Sequence, residues 1–198
     1  MPILGTVASQ FSGKPFSSFE SISTVTVGAG GSSFVEFTSI PSTYSHLQIR
    51  GIARSGRTDA TYDVMTMRFN SDTGNNYNHH FLFGDTSTAN GGTNQEGFPN
   101  YIFALYYMSA IGSSADPAGL SNTFGGFVID ILDYKDTNKF TTTRTLGGQT
   151  QNGGTGQIGI SSGLWRNTNA ITSIKLEAQT GSNLQQYSDF ALYGIKGS

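Results

Sequence analysis

The chain has no cysteine, one tryptophan, three histidines and five prolines in 198 residues. Without cysteine there is no disulfide scaffold, no thiolate nucleophile and no Cys-based zinc site. Charged residues make up 12%, about half the usual share. Eleven basic against thirteen acidic side chains leave a net charge of −2, which gives no electrostatic footprint for nucleic acid. No apolar run approaches the roughly 20 residues of a membrane span, so no membrane partner is expected. The opening MPILG lacks a basic segment followed by an apolar stretch, so no secretory signal is expected and the chain reads as made in the cytoplasm.

What is abundant is small and polar: Gly 26, Ser 24, Thr 23 and Asn 13, together 43% of the residues. Such a chain is too Gly-rich to be helical, yet with 14 Phe and 9 Tyr too aromatic to be disordered. Its length suits one domain with one core. Residues 1–20 show no sustained period and carry Pro2, Pro15, Phe11, Phe16 and Phe19. They read as an N-terminal arm whose three rings bind a partner or dock on the domain. Residues 21–198 read as a β-sandwich domain.

Period-two alternation is clearest at 46–54, with Leu47, Ile49 and Ala53 on one face, and at 63–69, with Met65, Met67 and Phe69 inward. Further strand-like runs fall at 21–27, 33–38, 79–83, 101–108, 124–133, 140–146, 157–165, 171–179 and 187–196. The short apolar run at 101–108 also suits a helix. Gly28-Ala29-Gly30-Gly31-Ser32 predicts a hairpin between the first two runs, and 134–138 predicts a second. Asn90-Gly91-Gly92 and Asn152-Gly153-Gly154 read as turns with positive φ, and Ser and Thr as the coat of the outer strand faces. About ten antiparallel strands with long loops at 84–100, 109–123 and 147–156 predict an all-β, two-sheet sandwich of jelly-roll type.

Chemical motifs are weak. Gly159-Ile160-Ser161-Ser162-Gly163 matches a nucleophile elbow, but no histidine follows His80 and no helix opens after it, so chance in a Ser/Gly-rich chain explains it. His79 and His80 are adjacent and point to opposite faces of a strand, and His46 stands alone. Asp130, Asp133 and Asp136, like the oxygen-rich 70–76 loop, fit Asx-turn chemistry better than a calcium loop. Glu20, Glu36, Glu96 and Glu177 are scattered, with no pair to flank a glycosidic bond. No catalytic residue, metal or cofactor is therefore expected.

Two binding patterns remain. Tyr77 and Trp165, with Arg166 beside the latter, suit stacking on sugars, with Phe98, Tyr101, Tyr106 and Tyr107 in or near loops. Arg50, Arg54 and Arg68 read as one outward strand face that meets a partner subunit's acids, with Asp63 and Asp130 as candidate counter-charges.

Four phrases, SFVEFTSIPSTYSHLQIRGIARS (33–55), MRFNSDTGNNYNHHFLFGD (67–85), VIDILDYKDTNKFTTTRTLGG (128–148) and SGLWRNTNAITSIKLEAQTGSNLQQYSDFALYGIKG (162–197), resemble a group of small proteins common in marine tailed-phage genomes. The resemblance implies a non-enzymatic virion structural protein, often a jelly roll, on the capsid or in the tail. On that basis the expected role is capsid decoration or cement: a homo-oligomer, expected as a trimer, bridging subunits of the major capsid protein. The alternative is a tail-fibre or tail-tip module that grips host surface polysaccharide, with tail proteins as its partners.

Overall fold

The alternation at 46–54 and 63–69 becomes two strands whose inward residues Leu47, Ile49, Met65, Met67 and Phe69 are fully buried. The computed structural model describes residues 18–93, 99–111, 122–153 and 156–197. Its twelve strands are β1 (Phe19–Thr26), β2 (Val35–Phe37), β3 (His46–Ser55), β4 (Tyr62–Phe69), β5 (Tyr77–Gly84), β6 (Ala89–Thr93), β7 (Ile102–Ala110), β8 (Gly125–Leu132), β9 (Thr141–Thr150), β10 (Gly156–Trp165), β11 (Ile174–Ala178) and β12 (Asp189–Ile195). Among the described residues there is no helix, so the fold is all-β, and none is long and apolar enough to cross a membrane.

The strands form one mixed sheet in the order β2-β11-β4-β7-β3-β8-β9-β10-β5-β6, with β12 and then β1 added beside β3. Every pairing is antiparallel except a two-residue parallel contact of β3 with β7, at Arg54–Ser109 and Ser55–Ala110. That contact joins an eight-stranded run, β1 to β6, to a four-stranded run, β2 to β7. β7 crosses the inner faces of β9 and β10 closely. A Cβ on Gly147 would collide with Leu105, and one on Gly163 with Ile102, so both positions need glycine for the strand to approach.

The expected β1–β2 hairpin does not form: β1 pairs with β12, and β2 with β11. Gly30 and Gly31 do take positive φ, 92° and 75°. Their turn carries the chain from one run to the other, with Ser32 bridging Leu184 where a Cβ on Gly31 would meet the Leu184 carbonyl. The 134–138 hairpin joins β8 and β9 as expected. Residues 101–108 are strand, and 90–92 belong to β6 rather than to a turn. β1 starts at Phe19, so the last two residues of the expected arm are strand residues.

One polarity is reversed. On β9 the threonines Thr141, Thr143 and Thr145 are buried, and on β10 Ser161 is, while Leu146, Ile158 and Ile160 point outward. Close passage of β7 is the cause: only small side chains fit beneath it, and Ser161 Oγ donates to the Phe103 carbonyl at 3.0 Å. The outer face of these two strands thus carries Thr142, Thr150 and Ser162 together with large aliphatic side chains rather than a continuous coat of serine and threonine.

Candidate functional site

The reversal leaves an apolar belt on the outer face of the eight-stranded run. Cross-strand register lines up Arg50, Val128, Leu146, Ile160, Leu82 and Gly91 in one row. The next row reads Ile52, Gly126, Gly148, Ile158, Gly84 and Ala89. Ile158 is 60% exposed, Leu146 53%, Leu82 52%, Ile160 49% and Ile52 45%. Neighbours of this size in mid-sheet are unusual, because a solvated sheet face is normally polar. A concave surface of about 720 Å³ runs over Val128, Leu146, Ile160 and Leu82. A second hollow, about 630 Å³, lies over Gly126 and Gly148 between Val128, Leu146 and Ile158.

A polar row borders the belt: Gln48, Asp130, Arg144, Ser162 and His80. Asp130 accepts from Gln48 Nε2 at 2.7 Å and lies 3.7 Å from the mostly exposed Arg144 guanidinium. Arg50 closes one end of the belt, donating to Gln48 Oε1 and standing 5.3 Å over the Phe19 ring.

The expected arginine face is split. Arg50 and Arg54 share the outer side of β3, but Arg68 sits on β4 in the other run, paired with Glu177, donating to the Asn100 carbonyl and stacked 5.9 Å over Tyr101. Of the expected counter-charges, Asp130 lies in the polar row. Asp63 is buried, accepting from Val64 N at 2.7 Å and from Thr180 Oγ1 at 2.6 Å. Burial pulls the Arg54 pKa down.

The glycan expectation at Tyr77 and Trp165 fails on burial. Both are fully enclosed, with Phe69, in a ring cluster of 5.5 to 6.4 Å spacings, and an enclosed ring has no face for a sugar. Their polar atoms organise the 70–76 loop. Trp165 Nε1 donates to Asp72 Oδ2 at 2.8 Å, and Tyr77 Oη donates to the Asp72 carbonyl at 3.2 Å and accepts from Phe69 N at 3.1 Å. Burial raises the Tyr77 pKa to about 12. Asp72 also accepts from Gly74 N and Asn76 Nδ2, which is the Asx chemistry read from the sequence. Arg166 is half-buried and reaches the Asn75 carbonyl. Phe11, Phe16 and Phe98 lie outside the described residues. Phe19 rests 6.1 Å from Tyr193 as part of β1.

Half-exposed aromatics gather elsewhere. β7 bulges twice against β4: Tyr106 and Tyr107 oppose Val64 alone, and Ala104 is an extra residue between the partners of Met65 and Thr66. The second bulge, lying between Phe103 and Tyr106, turns both rings toward β5. There Phe81 stacks on Tyr106 at 4.2 Å and His79 lies 3.9 Å from Phe103. A cleft of about 450 Å³ is bounded by these rings with Tyr62, Tyr101, Arg57 and Gln179. His79 is buried among them, and loss of solvation lowers its pKa to about 4, so it is neutral at pH 7.

Gly159 to Gly163 lie within β10 and form no elbow. Among the described residues no three His, Asp or Glu side chains converge to hold a metal ion. Sequence alone points to Tyr101 and Tyr106 of the cleft as stacking aromatics, but not to Tyr62, Phe103 or His79 beside them, nor to the belt. The belt had one legible signal, the outward run Arg144, Leu146 and its partner Ile158-x-Ile160. Comparison with family models, curated proteins and solved structures finds no match to this chain.

Proposed function

We propose that the chain is a non-enzymatic structural protein of a tailed-phage virion, a capsid decoration or cement protein that works as a homo-oligomer and contacts the major capsid protein. The observation that carries this is the apolar belt: five large aliphatic side chains, 45 to 60% exposed, on a regular sheet face. Burying such a surface contributes roughly 25 cal/mol per Å² before association costs, which suits permanent assembly. Low charge suits it too, because salt screening hardly weakens an apolar contact.

The strand path supports a jelly roll. An eight-stranded jelly roll has the neighbour orders 1-8-3-6 and 2-7-4-5. Here β2-β11-β4-β7 follows the first, and β3, β10, β5 and β6 follow the second once the β8–β9 hairpin counts as an insertion between β3 and β10. β12 and β1 are then additions beside β3. Fold alone does not choose a role, which is why the belt matters more than the path.

Co-sedimentation with empty capsids of the encoding phage tests the proposal. Wild type is expected to pellet with capsids, and Leu146→Asp combined with Ile160→Asp to reduce the pelleted fraction at least tenfold. Deleting residues 2–17 measures the share carried by the arm. Wild type that stays in the supernatant at every concentration would sink the capsid assignment.

The aromatic cleft favours one second reading, a tail-tip module that recognises host polysaccharide. Its rings Tyr62, Tyr101, Phe103 and Tyr106 are half-exposed beside Arg57 and Gln179, which suits stacking on a sugar with polar groups at hand. Retention on a glycan array that Tyr106→Ala abolishes would favour the tail, and no retention of any marine bacterial polysaccharide would remove it.

A further inference from the structure

We infer that the belt is the seat of a second copy of this chain, packed face to face about a two-fold axis that runs parallel to the strands between β9 and β10. The inference rests on the reading of the belt as an assembly surface and names what covers it. Three properties of the face support it.

The first is shape. Within one row, ridge and hollow alternate: Ile52 stands out, Gly126 and Gly148 recede, Ile158 stands out, and Gly84 recedes. The hollow over Gly126 and Gly148 lies one strand away from Ile158. Rotation about the stated axis exchanges β9 with β10 and β8 with β5. It therefore sets Ile158 of each copy over the glycine hollow of the other. In the next row it sets Leu146 against Ile160, and Val128 against Leu82. A surface carrying both its own ridge and its own groove is self-complementary, as an isologous contact requires.

Charge is the second. The same rotation places Asp130 opposite His80 of the second copy and Arg144 opposite Ser162, so the polar row meets itself without a like-charge clash. At a net charge of −2 the two copies repel little.

Size is the third. The rotation overlays six strands, β3, β8, β9, β10, β5 and β6. At about 4.8 Å per strand and about 6.8 Å for each of three rows the footprint is about 29 by 20 Å, or about 600 Å² per copy. A two-copy contact then buries about 1,200 Å², at the lower edge of stable interfaces. Sheets stacked this way sit about 10 Å apart, a distance Leu and Ile side chains fill.

The test uses the full chain. Light scattering at micromolar concentration is expected to give twice the 21.1 kDa chain mass. Leu146→Asp with Ile160→Asp is expected to give the chain mass with an unchanged far-UV circular dichroism spectrum. Because the chain has no cysteine, Leu146→Cys copies mixed with Ile160→Cys copies are expected to be joined by a short bismaleimide, which spans a sheet separation of about 10 Å that a direct disulfide cannot, in better yield than either variant alone. Wild type at the single-chain mass, or at three times it, overturns the two-fold packing, as does a mixed cross-link yield no better than that of the separate variants. If wild type is monomeric while the belt substitutions still abolish capsid binding, the second copy is wrong and the capsid proposal stands. If it is dimeric through the belt but never binds capsids, the capsid proposal is wrong and this inference stands.

Discussion

Asp72 fastens the loop 70–76 to the core, and its replacement by alanine should be among the costliest single changes outside the buried apolar set. Donors converge on its carboxylate: Trp165 Nε1 at 2.8 Å, Gly74 N at 2.8 Å and Asn76 Nδ2 at 2.9 Å, with the Asn167 side chain beside them. The indole is enclosed, so Asp72→Ala leaves its N–H without an acceptor, a loss of about 1.5–3 kcal/mol for a bond to a charged group. The two loop bonds are wetter and add about 0.5 kcal/mol each. A total near 3 kcal/mol corresponds to a fall in Tm of about 6–12 °C for a chain of this size. Urea unfolding followed by Trp165 fluorescence, this being the only tryptophan, and by circular dichroism reads the change. Asp72→Asn keeps one acceptor and should lose about half as much. Burial raises the Asp72 pKa, but the bonds from Trp165, Gly74, Asn76 and Asn167 more than offset it, so the net shift is downward. A depressed carboxyl stabilises the fold above its unfolded pKa of about 3.9 and loses that contribution as pH falls through the folded value. The gap between wild type and Asp72→Ala should thus be constant above about pH 5 and shrink below about pH 4. A gap under about 1 kcal/mol at pH 7, or one that does not change with pH, would refute the account of the loop.

Three further outcomes follow from the same geometry. Gly147→Ala pushes a methyl into Leu105 and should destabilise by about 1–3 kcal/mol in urea titration, whereas Leu82→Thr on the belt should stay within about 0.5 kcal/mol, both compared at equal protein concentration. His79 is held neutral by burial, so native stability should decline as pH drops from about 6.5 toward its folded value of about 4, and NMR should show its ring titrating near 4. A normal imidazole titration near 6.5 would contradict its enclosed position. Arg68→Ala removes the pair with Glu177, which Lys175 also contacts at 2.7 Å, and should cost about 1 kcal/mol with no effect on the oligomeric mass.

Period-two patterning made β3 and β4 legible, since Leu47-x-Ile49 and Met65-x-Met67-x-Phe69 face a core that accepts large side chains. The 134–138 hairpin was legible because its partners are sequence neighbours. Pairing across long separations was not: nothing local in Gly28 to Ser32 says that β1 joins β12 and β2 joins β11. The belt was missed for a related reason. On β9 and β10 the inward face is dictated by how closely β7 passes, a tertiary constraint that favours Thr, Ser and Gly inside. Tyr77 and Trp165 looked like loop aromatics because each sits at a strand end, yet a strand end over an open core is where large rings are buried. The aromatic cleft depends on a bulge at Ala104, which brings Phe103 and Tyr106 to one face of β7 and leaves no mark in composition.

The central claim is that the belt is a contact surface, and hydroxyl-radical footprinting reads it residue by residue. Labelling of Leu82, Leu146, Ile158 and Ile160 should be strong in dilute protein and fall several-fold in the concentrated or capsid-bound state, while Phe34, exposed on the other run, and Tyr187, exposed ahead of β12, keep their labelling. Belt residues that label equally in every state would contradict the account.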